Sequence, residues 1–428
     1  MTWSNWAGNQ AMTPARIVSP RSQDDLVAAV KQAAADGLRV KAIGSGHSFT
    51  AIGLTDGVLL DLTGYCGLVS LDRATCQITV MAGMPLHVLN ALLADAGLGL
   101  TNMGDIDRQT VAGAVSTGTH GTGRDSAGFA MQIAAVELVL ADGSVVACSE
   151  DERPELFAMA RLGLGALGIL STVTFQAEKA FVLRADERPM PLEDVLSGFH
   201  QLVADNEHFE FYWFPHTDLA LTKRNNRVAD PSPLGAVRKA FDDEVLSNGL
   251  FAATCAIGGR APRAIPRINK VAARALSART YADAAPKVFT SPRRVRFREM
   301  EYAISRDELP ALFRELRTLP ERNAMTVSFP VEVRVAPADV VPMSTSYGRD
   351  SAYVAVHMWK GTPFEAYFGA VEKLFDAVGG RPHWGKLHTL DASVLSQRYP
   401  RFGEFVAMRD ALDPERRFTN DYLDRILG

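Results

Sequence analysis

A stretch of 22 residues, positions 102–123, contains almost no side chain large enough to build a hydrophobic core. It holds five glycines and four threonines and reads Asn-Met-Gly-Asp-Ile-Asp-Arg-Gln-Thr-Val-Ala-Gly-Ala-Val-Ser-Thr-Gly-Thr-His-Gly-Thr-Gly. Small residues let the backbone approach a ligand closely. Long segments without regular structure inside compact domains are usually functional. The stretch therefore favours a ligand-contacting loop, and a flexible loop without a ligand stays open as the alternative.

A second glycine-rich turn lies upstream of this stretch. A short apolar strand, 39–43, runs into Gly44-Ser45-Gly46, and His47 follows at once. Two glycines around a serine let backbone N–H groups converge on an anion. Because each small-residue segment carries a histidine, His47 or His120, the pair favours a large anionic cofactor. Short glycine motifs are weak signals, so a solvated histidine beside a plain turn also stays open.

Composition sets limits on the class of protein. A length of 428 residues suits about two to three domains, and 47% hydrophobic with 22% charged residues is typical of a soluble globular protein. The net charge of −4 argues against a nucleic-acid-binding surface. No apolar run is long enough to span a membrane, and the N-terminus lacks the features of a signal peptide.

The cysteines indicate a reducing compartment. Cys66, Cys76, Cys148 and Cys255 form no C-x-x-C pair, which predicts reduced thiols and a cytoplasmic protein. Peripheral association with a membrane is left open. No spacing typical of metal ligands stands out, so we expect no metal.

Two regions with different patterns follow one another along the chain. Up to about residue 177, helices alternate with short strands, as in a helix that begins at Ser22 and ends at Gly37. Asp142-Gly143 predicts a hairpin. Beyond residue 178, strands such as 208–215 and 325–335 and helices such as 308–316 and 364–378 predict an antiparallel sheet covered by helices. Residues 223–233 are expected to be a polar connector, and residues 262–277 a solvated helix or loop. The strand–helix alternation of the first region indicates an α/β or α+β layer.

Residues 163–168 match the G-x-G-x-x-G pattern formally. The segment follows a predicted helix and opens a strand, whereas a dinucleotide-binding fingerprint follows a strand and opens a helix. A nicotinamide site of the Rossmann type is therefore rejected.

Two segments carry charged residues that are suited to chemistry. On the strand 328–335 the valines face one way, so Glu332 and Arg334 face the other way side by side. Such charges are costly to bury unless they are paired. After two glycines, residues 381–386 bring His383 and Lys386 into a turn, where a lysine can neutralise negative charge and a histidine can relay a proton. Exposed surface charges remain the alternative for both segments.

Gly44-Ser45-Gly46-His47-Ser48-Phe49, together with residues 117–123, resembles the vanillyl-alcohol-oxidase-type flavoproteins. Val331-Glu332-Val333-Arg334 and the turn 381–386 resemble the aldonolactone oxidoreductase branch of that family. The branch contains gulonolactone, galactonolactone and arabinonolactone oxidases or dehydrogenases, and alditol oxidases. The likeness covers nearly the whole chain and is strongest to actinobacterial L-gulono-1,4-lactone dehydrogenases and to D-arabinono-1,4-lactone oxidases.

The resemblance implies a fold. Residues 1–177 would form a PCMH-type FAD-binding domain of two α+β subdomains. Residues 178–380 would form a substrate or cap domain with an antiparallel sheet covered by helices, and residues 381–428 a C-terminal segment that returns to the flavin site.

The resemblance also implies roles residue by residue. His47 corresponds to the histidine that carries FAD covalently through its ring nitrogen. Glu332, Arg334 and Lys386 correspond to the catalytic residues that orient the substrate and face the flavin. The cofactor-binding set is implied to comprise Ala42, Ile43, Gly44, Ser45, Gly46, His47, Ser48, Asp105, Thr110, Gly113, Thr117, Gly118, Thr119, His120, Ile169 and His383.

Departures from the alditol oxidases bear on the substrate and the electron acceptor. Asp105 stands where alditol oxidases carry serine, and Trp359 where they carry threonine, so a lactone is favoured over a linear polyol. Gly104 occupies the position that gates access of O2 to the flavin. Dehydrogenases of the branch share this glycine, so the residue does not decide between O2 and an acceptor such as cytochrome c or a dye.

The resemblance thus implies oxidation of a sugar-derived 1,4-lactone (L-gulono-, L-galactono- or D-arabinono-1,4-lactone) at C2. The hydride would pass to flavin N5, and ascorbate or an analogue would be formed. An alditol oxidase that produces H2O2 is one alternative. A flavin-binding subunit that transfers electrons or senses redox state is another.

Overall fold

The first part of the chain forms two sheets of different kinds. The computed structural model of the protein describes residues 2–235, 261–291 and 295–428. A parallel sheet has the strand order Arg16–Val18, Val58–Asp61, Val40–Ile43. An antiparallel sheet has the strand order Val145–Ser149, Ile133–Val139, Ile169–Gln176, Gln77–Met81, Leu68–Asp72.

Local signals in the sequence account for several of these elements. The helix Gln23–Ala35 begins at a capping box, in which the Ser22 hydroxyl accepts from the Asp25 N–H and the Asp25 carboxylate accepts from the Ser22 N–H. The predicted hairpin is confirmed, with Val145 opposite Val139 and Gly143 at a φ of +79°. The apolar residues that recur at helical and strand spacing in this part of the chain pack together in one shared core.

The small-residue stretch 102–123 is not a loop throughout. It contains the short helix Val111–Thr117, which begins at Thr110 and ends at Gly118 in the left-handed conformation. The Thr110 hydroxyl accepts from the Gly113 N–H and so caps the helix. Most of the helix is buried, because residues as small as alanine and glycine allow its backbone to pack closely.

One large antiparallel sheet dominates the second part of the chain. Its strand order is Arg279–Ala284, Val182–Pro191, Leu219–Val228, His208–Trp213, Val331–Ala336, Ser351–Trp359, Phe297–Ser305, Arg381–Pro382. The aromatic residues of the fourth strand, Phe209, Phe211 and Trp213, are buried in one core. The helices Leu192–Ser197, Phe199–Ala204, Leu309–Leu316 and Glu365–Ala377 contribute to the same core.

The prediction of a polar connector at 223–233 is wrong for residues 223–228. Residues 223–228 belong to the strand Leu219–Val228, which pairs with a neighbour on each side. Polar residues are stable in this strand because they find partners: Lys223 lies 3.3 Å from a Glu210 carboxylate oxygen. The segment 262–277 contains the helix Ile265–Arg274, which is anchored where the Asn269 amide donates to the carbonyls of Pro215 and Val327.

The C-terminal segment packs back on the first part of the chain. Its helices Ala392–Arg398, Phe402–Leu412 and Asp421–Leu427 share a core with residues of the first part, such as Ile52 and Leu162. The Lys41 ammonium group donates to the carbonyls of Gly165 and Phe418 at 2.9 Å each.

The remaining elements are short. The further strands are Trp3–Ser4 with Ala11–Met12, and Leu98–Gly99 with Glu178–Lys179. The further helices are Leu86–Asp95, Pro154–Ala160, Ala285–Phe289 and Leu319–Arg322, and the 3-10 turns are Ala51–Gly53, Leu62–Gly64, Phe129–Gln132, Pro262–Ala264 and Arg306–Glu308.

Among the described residues, every helix is too short or too polar to cross a bilayer. Cys66, Cys76 and Cys148 are free thiols, and Cys255 lies outside the described residues.

Candidate active site

Two cavities meet between the first part of the chain and the large sheet. Four residues line both cavities, namely His47, Ser48, Gln109 and Thr117. Together the cavities form one elongated cleft, which we call the cofactor cleft.

The first cavity collects most of the residues predicted to bind the cofactor. It is lined by Ala42, Ile43, Gly44, Ser45, Gly46, His47, Ser48, Thr110, Gly113, Thr117 and Ile169. Gly118 lines neither cavity. It ends the helix Val111–Thr117, and a Cβ there would come within 2.9 Å of the Leu162 side chain.

Close packing of two small-residue segments shapes this cavity. A Cβ on Gly44 would lie 1.8 Å from the Thr110 Oγ1, so only glycine fits at this position. Gly46 has a φ of +68°, which turns the chain sharply before His47. No described residue accepts a hydrogen bond from the backbone N–H groups of residues 45–48. Consecutive amides of this kind are suited to an anionic group such as a pyrophosphate.

The second cavity collects the three predicted catalytic residues, the predicted oxygen gate and the other predicted cofactor-binding residues except Gly118. Those predicted from the sequence are Gly104, Asp105, Thr119, His120, Glu332, Arg334, His383 and Lys386. Glu332 and Arg334 are each only 7% exposed, so the alternative of a surface ion pair is wrong. They lie on the face of their strand opposite the valines, which pack in the core.

Arg334 lies among three carboxylates. Its guanidinium pairs with Glu332 through Nη2, lies 3.3 Å from Glu210 through Nε, and 3.6 Å from Asp105 through Nη2. Burial opposes a charge here, but these acids raise the pKa of Arg334 well above its usual value. The Tyr212 hydroxyl donates to Glu332 at 3.1 Å. The cluster therefore holds a permanent cation and carboxylates that can accept hydrogen bonds from hydroxyl groups.

Lys386 is held by a second buried acid. Its ammonium group donates to the Glu299 carboxylate and lies 5.1 Å from the centroid of the Phe49 ring. Burial lowers the pKa of Lys386, but Glu299 and Glu301 outweigh this and raise it. The His357 Nε2 lies 3.5 Å from the other Glu299 oxygen. Lys386 is thus a fixed cation in the wall of the cleft.

Three buried groups, His120, Glu301 and His383, lie beside this lysine with ligand-type atoms within 4.8 Å of one another. The His120 Nε2 lies 3.2 Å from a Glu301 oxygen. The His383 Nδ1 accepts from the Gly385 N–H at 3.0 Å. Burial lowers the pKa of His383 to about 3, so its ring is neutral near pH 7.

His47 lies where the two cavities join. Its ring centroid is 5.7 Å from that of Trp6. Burial, with a further contribution from Lys386, lowers the pKa of His47 to about 4. Near pH 7 the ring is therefore neutral and one nitrogen keeps a lone pair.

Aromatic rings form the apolar side of the second cavity. Phe49 and Phe297 stack with centroids 5.7 Å apart, and Phe297 contacts Trp6 edge-on. Phe329 packs on Phe297 from another side. The second cavity thus combines one apolar wall with several buried charges.

Sequence reasoning missed several residues of the cleft. Glu299 and Glu301 alternate with the core residues Met300 and Tyr302, which is the same period-two signal that singled out Glu332 and Arg334. Gln109 belongs to the small-residue stretch but has no distinctive pattern.

Trp359 was expected on the substrate side, and this is wrong. It lines neither cavity, because it ends its strand and its ring packs over Gly361.

Comparison with known proteins identifies the class. A family model described as FAD binding domain matches residues 14–149, and one described as D-arabinono-1,4-lactone oxidase matches residues 173–426. The crystal structure of cholesterol oxidase from B. sterolicum superposes with a TM-score of 0.83 at 18% identity, covering 100% of this chain and 96% of that one. That likeness shows the fold, which is the one inferred from the sequence. The protein is an FAD-binding oxidoreductase.

Sequence relatives narrow the class further. The L-gulono-1,4-lactone dehydrogenase of Mycobacterium tuberculosis is 42% identical over 427 residues, with 100% of this chain and 99% of that protein covered. The L-gulonolactone oxidase of Bos taurus is 31% identical over 431 residues, with 99% and 98% covered. The chain belongs to the aldonolactone oxidoreductase family.

The cofactor cleft fits FAD on its own geometry. The unpaired amides at 45–48 suit the pyrophosphate. At the junction of the two cavities, the Gln109 Oε1 is buried and has no hydrogen-bond partner among the described residues. A buried acceptor without a partner is costly, and a donor on a ligand would remove that cost.

Proposed function

We propose that the protein oxidises the C2 hydroxyl of a sugar-derived 1,4-lactone to a carbonyl. The observation that carries the proposal is the junction of an anion-binding cavity with a cavity that holds Glu332, Arg334 and Lys386. FAD, when bound, supplies the acceptor for the two electrons that leave the substrate. The names of the two relatives support a lactone as the substrate.

FAD would be held mainly by the first cavity. The backbone of residues 44–48 and the start of the helix Val111–Thr117 would contact the pyrophosphate, in line with the roles expected from the sequence. Thr119, His120 and His383 would lie beside the redox-active ring, since they line the second cavity. We also propose that residues 1–177 form the FAD-binding domain, residues 178–380 the cap domain, and residues 381–428 the C-terminal segment.

The charged residues of the second cavity would bind and orient the lactone. The Glu332 carboxylate can accept a hydrogen bond from a ring hydroxyl, while Arg334 holds that carboxylate in place. Arg334 and Lys386 keep their positive charge, because the pKa of each is raised by neighbouring acids. Two fixed cations would stabilise the negative charge that reduction adds to the cofactor.

His47 is proposed as the covalent attachment point of FAD. Its neutral ring, with a pKa lowered to about 4 by burial, keeps the nitrogen lone pair that such a bond requires. After acid precipitation of the holoenzyme, the yellow colour should stay with the protein pellet. In His47→Ala the colour should move to the supernatant. A wild-type pellet without flavin absorbance would contradict the linkage.

A substrate panel tests the reaction. Purified protein is reacted under anaerobic conditions with gulono-, galactono- and arabinono-1,4-lactone, xylitol and sorbitol, and bleaching of the flavin band is followed. Reoxidation by O2, cytochrome c and a dye then identifies the acceptor. We expect the lactones to bleach the flavin band. In Glu332→Ala and in Arg334→Ala the rate of bleaching should fall by at least about 100-fold.

The other outcomes of the panel discriminate between functions. Bleaching by polyols alone would support an alditol oxidase. Bleaching only in the presence of a partner protein would support an electron-transfer subunit. Lactone turnover that survives both substitutions would show that the site is wrong.

A further inference from the structure

Both ring nitrogens of His120 face hydrogen-bond acceptors. The Nδ1 lies 2.9 Å from the carbonyl oxygen of Gly121, and the Nε2 lies 3.2 Å from a carboxylate oxygen of Glu301. A carbonyl oxygen can only accept, so Nδ1 carries a proton. The contact with Glu301 then needs a second proton, which sits either on the ring or on the carboxyl group.

The surroundings of Glu301 favour the ring for that second proton. Burial raises the pKa of Glu301, but the net pKa lies well below its usual range, and the positive charge of Lys386 contributes to this whatever the state of His120. Lys386 remains a cation beside it, paired with Glu299. An ionised Glu301 leaves a doubly protonated His120 as its direct partner.

The ring stack supports a charged His120. Its ring lies nearly parallel to that of Tyr353, with centroids 3.6 Å apart and an interplanar angle of 18°. A cation over an aromatic face is attracted by the electron density of the ring. The Tyr353 hydroxyl is itself hydrogen-bonded to Thr345 and Ser346, so the stack is fixed in place.

The neighbouring His383 differs from His120 in its protonation state, since its ring is neutral. Its Nδ1 accepts from the Gly385 N–H, so the neutral ring carries its proton on Nε2. The centroids of the His120 and His383 rings are 5.6 Å apart, a distance at which two buried cations repel each other. A protonated Nε2 also has no lone pair for a metal ion. The hydrogen bonds therefore point to an ion pair beside a neutral histidine.

We propose that Glu301 is a positioning residue that keeps His120 positively charged in the wall of the cofactor cleft, and so favours reduction of the bound FAD. The proposal rests on the placement of FAD in this cleft, and it is independent of which lactone is oxidised. A fixed cation beside a group that becomes more negative stabilises the product of reduction. His120 would thus act together with Lys386.

The protonation state can be measured on the wild-type holoenzyme. Nitrogen-15 NMR of histidine-labelled protein distinguishes a doubly protonated ring from the two neutral tautomers, and His120→Gln assigns the signal. We expect both nitrogens of His120 to be protonated, and His383 to be neutral. A neutral His120 at pH 7 would overturn the proposal without the need for any variant of Glu301.

The effect on FAD is measured as a reduction potential. Glu301→Gln keeps the shape of the side chain but removes its charge. We expect the equilibrium between reduced and oxidised FAD to move at least tenfold toward the oxidised form, which is about 30 mV for a two-electron couple. Glu301→Asp keeps the charge and should lie closer to the wild type.

A matched control separates this effect from the loss of any buried acid. Glu372 is buried, lines neither cavity, and bonds to Tyr302 and Thr389. Glu372→Gln should leave the potential unchanged. A potential that is the same in Glu301→Gln as in the wild type, or lowered equally in Glu301→Gln and Glu301→Asp, would overturn the proposal. A dithionite titration needs no lactone, so failure of the proposed substrate would leave this result intact.

Discussion

The Lys386 ammonium group is bound by the Glu299 carboxylate, which comes 87 residues earlier in the sequence. The lysine lies in a turn that follows the last strand of the large sheet, and the acid lies on the strand Phe297–Ser305 beside it. The turn is held in register, since the Leu387 N–H donates to the Glu299 carbonyl. The charge state of the cleft therefore depends on a contact between two distant segments.

The first prediction concerns Glu299→Gln. Without this carboxylate, burial acts on Lys386 with Glu301 and Asp105 left to oppose it, so the pKa of Lys386 should fall. If the charged lysine is required, the alkaline limb of kcat/KM should move to lower pH by a similar amount. The measurement is a pH profile with the best lactone, with Glu372→Gln as the control. An unmoved alkaline limb would contradict the role of the pair.

The second prediction concerns Arg334→Lys. A lysine keeps the charge but has no planar fork with which to contact Glu332, Glu210 and Asp105 together. We expect kcat/KM to fall by at least about 100-fold, with the carboxylates left partly unpaired and the thermal midpoint lowered. Steady-state kinetics and a melting curve check both effects. Wild-type kinetics in Arg334→Lys would mean that charge alone is sufficient.

The third prediction concerns Gly44→Ala. The added Cβ would overlap the Thr110 Oγ1, so the turn 44–48 and the start of the helix Val111–Thr117 must separate. FAD content per mole of protein, measured by absorbance, should fall sharply. Gly369→Ala is the matched control, because Gly369 lies within the helix Glu365–Ala377 and a Cβ there meets nothing within 4 Å. Full FAD loading of Gly44→Ala would show that close packing at this turn is not needed.

The fourth prediction concerns Gly104→Ala. A Cβ there would lie 3.3 Å from both the His120 carbonyl oxygen and the Thr119 Cγ2. It fits only if these neighbouring atoms shift slightly. If this wall admits O2 to the cofactor, the ratio of the reoxidation rate with O2 to that with a dye should fall by about tenfold. Stopped-flow reoxidation of the lactone-reduced enzyme gives both rates. An equal ratio in the two proteins would exclude the gate.

The fifth prediction concerns acid stability. Burial lowers the pKa of His388 to about 3, although its Nε2 lies 2.8 Å from the Tyr422 hydroxyl. Below pH 6.5 the unfolded chain takes up a proton that the folded protein refuses, so stability is lost as the pH falls. His388 should contribute up to about 1.4 kcal/mol per pH unit between pH 6.5 and 5.

Denaturant titrations of the wild type and His388→Gln in this pH range check the sign. The variant should lose less stability per pH unit than the wild type. Neutral activity should be kept, because His388 lines neither cavity. Parallel pH dependences in the two proteins would contradict the assignment.

The sequence by itself determined the local elements and the cofactor-contacting loops. The capping box at Ser22 and the Asp142-Gly143 hairpin follow from short-range chemistry, and both are present. Small residues at 44–48 and 110–117 indicate that a ligand or another segment approaches the backbone closely. Both segments line the first cavity. The period of two placed Glu332 and Arg334 on one face of their strand, since this follows from covalent geometry alone.

Only the tertiary structure decided which charges are buried and with what partners. Lys223 was read as part of a polar connector but pairs with Glu210 inside the sheet. Glu301 lies on the strand Phe297–Ser305 but contacts His120, which belongs to the distant small-residue stretch. Burial and pairing depend on segments that are distant in sequence, and the pKa values and protonation states of these groups depend on burial and pairing. The electrostatics of the cleft are therefore a property of the folded chain, and the residue pattern alone does not contain them.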